Sequence, residues 1–171
     1  MVQVGQPAPG FALEGVLDGE FVHVRLGDYA GKWVVLFFYP LDFTFVCPTE
    51  IRGFSARVAR FEELGAQVLG ASVDSKHSHL AWAERDFGKL GFPLLSDIKR
   101  EASEAYGVLL ADKGVALRGT FIVDPEGVLR YAVVHDNSIG RNTDETLRVL
   151  EALQTGELCP VDWRPGEATL S

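Results

Sequence analysis

Cysteine and positive charge are both scarce in this sequence. Its 171 residues include two cysteines, Cys47 and Cys159, so a disulfide-rich scaffold is excluded. Lys and Arg number 16 against 24 Asp and Glu, which gives a net charge of −8. Because phosphate contacts need concentrated Lys and Arg, this balance argues against a nucleic-acid-binding protein.

Long apolar runs are also missing. No stretch of about 18 apolar residues occurs, so we expect no membrane span and no membrane partner. The N-terminal segment MVQVGQPAPGFALEG has neither the basic flank nor the continuous apolar stretch of a secretory signal. We therefore expect a cytoplasmic protein, in which the two cysteines are either inert buried thiols or chemically used ones.

Signals for cofactors are weak throughout. The four histidines are scattered, none of them at metal-ligand spacing from a cysteine, and no Gly-rich loop has the spacing of a nucleotide site. The four histidines are His23, His77, His79 and His135. We expect no metal and no organic cofactor.

The composition favours one globular domain. Apolar residues make up 47% of the chain and charged residues 23%. A chain of this length buries roughly 70% of its unfolded surface, which is enough for a core without disulfides. We predict a single domain over residues 1–171, with residues 155–171 as an irregular C-terminal tail that carries Cys159.

The first half of the chain alternates strand and helix. The apolar run at residues 32–40 predicts a buried strand. Apolar residues then recur every three or four positions, which predicts an amphipathic helix of about fifteen residues ending at Gly65. Residues 66–74 predict the next strand, and a second helix begins at Ser75 or His77.

The second half adds a hairpin and a helix. Residues 119–124 and 128–136 predict two strands joined by a turn with Pro125 and Gly127. A last helix is capped by Asn142 or Thr143. The order of elements predicts an α/β fold, a central mixed β-sheet flanked by helices, for which a thioredoxin-like domain is one solution.

Cys47 stands where a strand gives way to a helix. Pro48 is tolerated in a first helical turn, so Cys47 lies at the helix start, beyond the carboxyl end of the preceding strand. The unpaired N–H groups there favour a thiolate, and the Thr44 hydroxyl can point at the sulfur or at a bound oxygen. Alternatively, Cys47 is a small core residue, Thr44 a helix cap and Glu50 an acid of the first turn.

The segment around Cys47 resembles a known family. Pro40, Thr44 and Cys47 match the Pro-x-x-x-Thr-x-x-Cys pattern of the peroxiredoxins, in the DFTFVCPTE form of their typical two-cysteine branch. Further segments are similar to that family in order, over nearly the whole chain: VDS, HLAW, FPLLSD, YGV, RGTFIVD, GRNTDETLRVL and GELCPVDW. The resemblance implies a thioredoxin-like (peroxiredoxin) fold and a thiol-specific peroxidase.

The resemblance assigns a role to each residue near the cysteine. Cys47 is the peroxidatic cysteine, which attacks a hydroperoxide and becomes a sulfenic acid. Pro40 shields the site, Thr44 bonds the peroxide, and Arg118 holds the thiolate and polarises the O–O bond.

Two further charged residues match the family's supporting ion pair. Glu50 and Arg141 form this pair, which positions Arg118. From spacing alone, both arginines would be interpreted as solvated residues.

Cys159 lies too far along the chain for a local contact with Cys47. A disulfide needs Cα atoms within about 7 Å, so either the tail folds back or a second subunit supplies the partner. By resemblance, Cys159 is the resolving cysteine of the other subunit in a homodimer. Decamers are a further family expectation.

The resemblance also implies an electron donor. Thioredoxin and a flavin-dependent disulfide reductase both fit, since each supplies a protein dithiol. An oligomeric holdase chaperone or redox-signalling partner is the alternative function. A cysteine hydrolase lacks a recognisable histidine base, and the missing Cys-x-x-Cys disfavours a dithiol reductase.

Overall fold

The computed structural model describes residues 2–170. The chain forms two compact units, one up to Arg141 and the other from Asn142 onward. In the second unit the helix ends at Thr155, and residues 156–170 form turns without helix or strand. A single domain with an irregular tail remains a prediction.

The regular elements are as follows, in chain order. The strands are β1 (Ala12–Leu17), β2 (Glu20–Arg25), β3 (Trp33–Phe38), β4 (Ala66–Ser72), β5 (Leu94–Ser96), β6 (Leu109–Leu110), β7 (Val115–Ala116), β8 (Arg118–Val123) and β9 (Leu129–His135). The helices are α1 (Cys47–Ser55), α2 (Val58–Glu63), α3 (Lys76–Asp86), α4 (Glu101–Ala105) and α5 (Thr143–Thr155), with a short 3-10 helix at Leu26–Tyr29.

A seven-stranded mixed sheet organises the first unit. Its strand order is β2-β1-β5-β4-β3-β8-β9, and β6 and β7 form a separate pair. The three strands β3, β4 and β5 are parallel, because helical crossovers join them. The neighbours β1 and β8 are antiparallel to this centre. The predicted mixed sheet flanked by helices is confirmed.

Strand β3 is buried on both faces, as its apolar run predicts. Leu36 and Phe38 join one core cluster together with Tyr106 and Phe121. On the opposite face, Phe37 stacks on Phe54 of α1 with ring centroids 4.3 Å apart. The C-terminal part of α1 is therefore packed against this face of the sheet.

One predicted helix is two helices in the structure. A helix of about fifteen residues is wrong for this segment, because the chain breaks between α1 and α2 at Ala56 and Arg57. The Arg57 backbone N–H donates to Phe54 O instead of Gly53 O, and the Arg57 guanidinium donates to the Gly53 carbonyl at 3.0 Å. The side chain thus satisfies the carbonyl that the break releases.

The other predicted boundaries agree closely with the structure. Helix α3 is capped by Ser75, whose hydroxyl accepts from Ser78 N, and α5 by Asn142, whose side chain accepts from Glu145 N. Strands β8 and β9 form the predicted antiparallel hairpin. Both caps follow the preference for short polar side chains at helix N-termini.

The N-terminal hairpin of β1 and β2 was not predicted. Asp18 and Gly19 connect the strands with φ angles of 48° and 96°. Two positive φ values suit a tight hairpin turn, and Asp-Gly is a strong sequence signal for it.

No helix within residues 2–170 is long and apolar enough to cross a membrane.

We expect Gly15→Ala to destabilise the protein by roughly 1–3 kcal/mol. Gly15 lies where β1 pairs with β5, and an added Cβ would overlap the Leu94 carbonyl oxygen and lie 2.9 Å from Leu95 Cδ2. Gly10→Ala is the matched control, because a Cβ there meets nothing within 4 Å. Urea unfolding measures both; equal midpoints for the two variants would contradict the close approach.

Candidate active site

Cys47 is the first residue of α1, directly after the loop that leaves β3. Val46 is the N-cap and has no side-chain cap hydrogen bond, while Pro48 occupies the first turn. The Cys47 residue exposes none of its surface. The sulfur is therefore enclosed at the N-terminal end of a helix, where backbone N–H groups favour negative charge.

Sheet topology brings Arg118 to the same place. Strand β8 runs antiparallel to β3, so its first residue, Arg118, lies beside the carboxyl end of β3. Strand β9 runs antiparallel to β8, and its last residue, His135, pairs with Arg118. The loop after β9 therefore returns to this edge of the sheet and carries Arg141 there.

Arg118 contacts the sulfur directly. Its Nη1 atom lies 3.3 Å from Cys47 Sγ and 2.7 Å from Glu50 Oε2. Its Nε and Nη2 atoms both donate to the Asn137 carbonyl oxygen, at 3.0 and 2.8 Å. The Arg118 side chain is 3% exposed. A buried guanidinium with this many fixed partners has one orientation, and that orientation faces the sulfur.

Glu50 joins both arginines. Its carboxylate accepts from Arg118 Nη1, from Arg141 Nε at 2.9 Å and from the Arg141 backbone N–H at 3.0 Å. The Glu50 side chain is 1% exposed. It is thus more than an acid that favours the helix dipole, since it neutralises charge inside the protein.

Arg141 is held from several sides. Its guanidinium donates to the backbone oxygens of Gly119 and Phe38 and lies over the Phe37 ring, 5.1 Å from the centroid. Burial lowers the pKa of Arg141, while the hydrogen bond and negative charge of Glu50 oppose that shift. An arginine guanidinium does not lose its proton in proteins, so it remains charged here.

Pro40 and Thr44 lie in the loop between β3 and α1. Pro40 is buried. The Thr44 hydroxyl donates to the Leu41 carbonyl at 3.0 Å, and Val46 rather than Thr44 occupies the N-cap. The alternative interpretation of Thr44 as the helix cap is therefore wrong.

Asp42, in the same loop, enters a buried polar cluster that sequence reasoning missed. Its carboxylate accepts from the Tyr39 hydroxyl at 2.8 Å and from the Ser78 hydroxyl at 2.8 Å. His79 Nδ1 lies 2.7 Å from the same carboxylate, and both side chains are fully buried. Since Asp42 and His79 are 37 residues apart, no local pattern signals the pair.

Asn137 was also missed, because it acts through its backbone. Its carbonyl oxygen fixes Arg118, and a backbone carbonyl leaves no signature in a sequence. The loop is shaped by Asp136, whose carboxylate accepts from the Ser138 backbone N–H and hydroxyl. That local turn is the one signal the sequence offers here.

Cys159 lies in the second unit, just after α5. Its Sγ is 3.6 Å from Thr155 Oγ1 and 3.8 Å from the Ala152 carbonyl oxygen. The residue is partly exposed, and both cysteines are free thiols. Nearby, Trp163 is buried, and its carbonyl accepts from Arg148 Nη1 at 2.9 Å.

The chemistry of the site rests on charge and enclosure. Within residues 2–170, no group of three His, Cys, Asp or Glu side chains could hold a metal ion. The neighbour of the Cys47 sulfur is a guanidinium, which donates but cannot accept a proton. Such a group stabilises an anion on sulfur or oxygen and does not act as a general base.

These features define a thioredoxin-like α/β protein with a buried, arginine-held cysteine. Residues 4–132 match the AhpC/TSA family. The chain is 53% identical to peroxiredoxin-2 of Macaca fascicularis over 177 residues, which cover 98% of this chain and 89% of that protein.

Solved structures agree with this relationship. The reduced 2-Cys peroxiredoxin of Plasmodium vivax is similar with a TM-score of 0.93 and 40% identity, covering 99% of this chain and 93% of the other. AhpC of Mycobacterium bovis is similar with a TM-score of 0.87 and 46% identity, covering 96% and 99%. The chain belongs to the AhpC/TSA family, the peroxiredoxins, and is a thiol-dependent peroxidase.

We expect Glu50→Gln to lower the free energy of unfolding by about 3–5 kcal/mol, because it leaves two buried guanidinium groups without their shared carboxylate. Glu63→Gln is the control: its ion pair with Arg60 is exposed, so the loss is at most about 1 kcal/mol. Denaturant unfolding at low and high salt measures both. Similar losses for the two variants would contradict the structural role of Glu50.

Proposed function

We propose that Cys47 is the peroxidatic cysteine and that Arg118 is its main electrostatic partner. The observation that carries this assignment is the 3.3 Å contact between Arg118 Nη1 and Cys47 Sγ. Glu50 and Arg141 position Arg118. Pro40 and Thr44 belong to the loop that encloses the sulfur, where Pro40 excludes water and the Thr44 hydroxyl binds the peroxide.

The first step is a two-electron oxidation of sulfur. The Cys47 thiolate attacks one oxygen of a hydroperoxide, a new S–O bond forms and the O–O bond breaks. The departing oxygen takes a proton and leaves as water or an alcohol, and Cys47 becomes a sulfenic acid. Arg118 stabilises the charge that develops on the oxygens, because it is already fixed and needs no reorganisation.

The second step needs the other cysteine. We propose that the Cys159 thiol of a second subunit attacks the sulfenic sulfur and releases water, which forms an intersubunit Cys47–Cys159 disulfide in a homodimer. Since Cys47 exposes none of its surface, the first turn of α1 must open before two sulfurs can meet. The supporting argument for Cys159 is its place beside a helix end in a segment of turns.

A dithiol reductant completes the cycle by reducing that disulfide. Thioredoxin and a flavin-dependent disulfide reductase are the proposed donors in the cytoplasm, because each supplies a protein dithiol. Decamers of the dimer remain a prediction.

The alternative functions receive no comparable support. The described contacts of Cys47 include an arginine and no histidine, which leaves a cysteine hydrolase without a base. No contact among the described residues favours an oligomeric holdase or a redox-signalling partner over the peroxidase.

We expect peroxide consumption, coupled to thioredoxin and its reductase, to fall to background in Cys47→Ser. Serine cannot form the sulfenic acid. Cys159→Ser should still consume one equivalent of peroxide per subunit and then stop, because resolution is lost. Steady turnover by Cys47→Ser would overturn the assignment, and a repeat with the flavin-dependent reductase identifies the donor.

We expect one equivalent of peroxide to convert the parent protein into a covalent dimer on a non-reducing gel. Cys159→Ser and Cys47→Ser should each remain monomeric on that gel. Mixing the two variants tests whether the bridge joins different chains, since the mixture restores one Cys47–Cys159 pair per dimer. A covalent dimer formed by Cys159→Ser alone would contradict the proposed pairing.

A further inference from the structure

The loop that carries Pro40 and Thr44 is held at its middle by Asp42. Besides its bonds from Tyr39 and Ser78, the Asp42 backbone N–H donates to Asp74 Oδ2 at 2.6 Å. Both the main chain and the side chain of Asp42 are thus fixed by hydrogen bonds, and Asp42 lies between Pro40 and Thr44 in the loop.

The hydrogen-bond partners of His79 define its protons. His79 Nε2 lies 3.0 Å from the Leu95 carbonyl oxygen, which can only accept, so Nε2 carries a proton. His79 Nδ1 lies 2.7 Å from the Asp42 carboxylate. Tyr39 and Ser78 already donate to that carboxylate, and the Tyr39 hydroxyl oxygen also lies 3.4 Å from His79 Nδ1. A carboxylate surrounded by donors has the pattern of an ionised acceptor, to which a protonated Nδ1 would donate.

Tyr39 supports this arrangement. Burial, and next the nearby negative charge of Asp42, raise the pKa of Tyr39 well above its ordinary value, so its hydroxyl remains a donor. His79 itself exposes none of its surface. Among the described contacts, the charged and titratable groups that face the pair are Tyr39, directly after β3, and Asp74, in the loop after β4.

The residue after Asp42 is strained. Phe43 has a φ of 55°, which is unfavourable for an aromatic residue without a compensating environment. Its ring lies 5.8 Å from the Trp82 ring, and Arg85 lies 4.7 Å from its centroid. Since α3 supplies His79, Trp82 and Arg85, this helix holds the loop in a conformation that the loop alone would not adopt.

We propose that His79, as a doubly protonated imidazolium paired with Asp42, is a positioning residue that fixes the loop of Pro40 and Thr44 for the reaction of Cys47 with peroxide. It touches neither sulfur nor peroxide and acts through Asp42. The expected effect on the reaction with peroxide rests on the proposed function. The contact between His79 and Asp42 rests on geometry alone.

Two variants of His79 separate positioning from general stability. In His79→Asn the amide nitrogen replaces Nδ1 and keeps a donor for Asp42. In His79→Gln the amide nitrogen replaces Nε2, keeps the bond to Leu95 and leaves Asp42 without that donor. If His79 has a merely structural role, the peroxide reactivity of the two variants should follow their losses of stability. If His79 positions the loop through Asp42, reactivity should be higher in the variant that keeps the contact with Asp42.

We expect the second-order rate constant of Cys47 with peroxide to fall about ten-fold further in His79→Gln than in His79→Asn. Amide hydrogen exchange over residues 41–46 should accelerate in the same order. Tyr106→Phe is the control: it removes one buried hydrogen bond, to the Pro9 carbonyl, and should leave the rate constant unchanged. Equal rate constants for the two His79 variants would overturn the proposal.

A spectroscopic measurement tests the protons directly. In the reduced parent protein at neutral pH, nitrogen NMR of the labelled His79 ring should show two protonated nitrogens, and one unprotonated nitrogen would overturn the ion pair. If His79→Gln fails to fold, Asp42→Asn replaces it with the same expected loss. A parent protein that does not react with peroxide would contradict the proposed function. NMR and hydrogen exchange would still test the contact between His79 and Asp42.

Discussion

The carboxylate of Glu50 is the group on which the site depends, because it lets two guanidinium groups be buried together. Arg118 and Arg141 repel each other, and each would be costly to enclose alone. With Glu50 between them the three charges sum to one positive charge, and a Cys47 thiolate brings the total to zero. Enclosure of the site and an anionic sulfur are therefore compatible.

Topology supplies these charges from distant parts of the chain. The end of β3 and the starts of β8 and of the loop after β9 lie at one edge of the sheet, because β8 is antiparallel to β3 and β9 to β8. Glu50 is one helical turn beyond Cys47, so its carboxylate lies near the sulfur. Arg118 therefore comes from the sheet and Arg141 from the loop after β9, whereas α1 carries both Cys47 and Glu50.

Sequence reasoning succeeded where the signal was local. Pro48 and the apolar run before it located Cys47 at a helix start, and short polar residues marked the caps of α3 and α5. It failed where partners are remote or act through the backbone: Arg118 and Arg141 came from resemblance, and the Asn137 carbonyl and the Asp42–His79 pair were missed. The Asp-Gly turn between β1 and β2 is a local signal from which the N-terminal hairpin could have been predicted. The break between α1 and α2 could not, because it depends on the Arg57 side chain, which replaces a backbone N–H as the donor to the Gly53 carbonyl.

The two halves of the proposed cycle place opposite demands on the same loop. Reaction with peroxide requires the loop of Pro40 and Thr44 to be closed around the sulfur, whereas disulfide formation requires the sulfur to leave it. A strained Phe43 raises the energy of the closed state, and the anchors of Asp42 on α3 and β4 lower it. These contributions oppose each other, so their balance sets the free energy of local opening. Glu50 belongs to the first turn of α1, so unwinding that turn to release Cys47 also disturbs its ion pairs with Arg118 and Arg141, and closure must restore them.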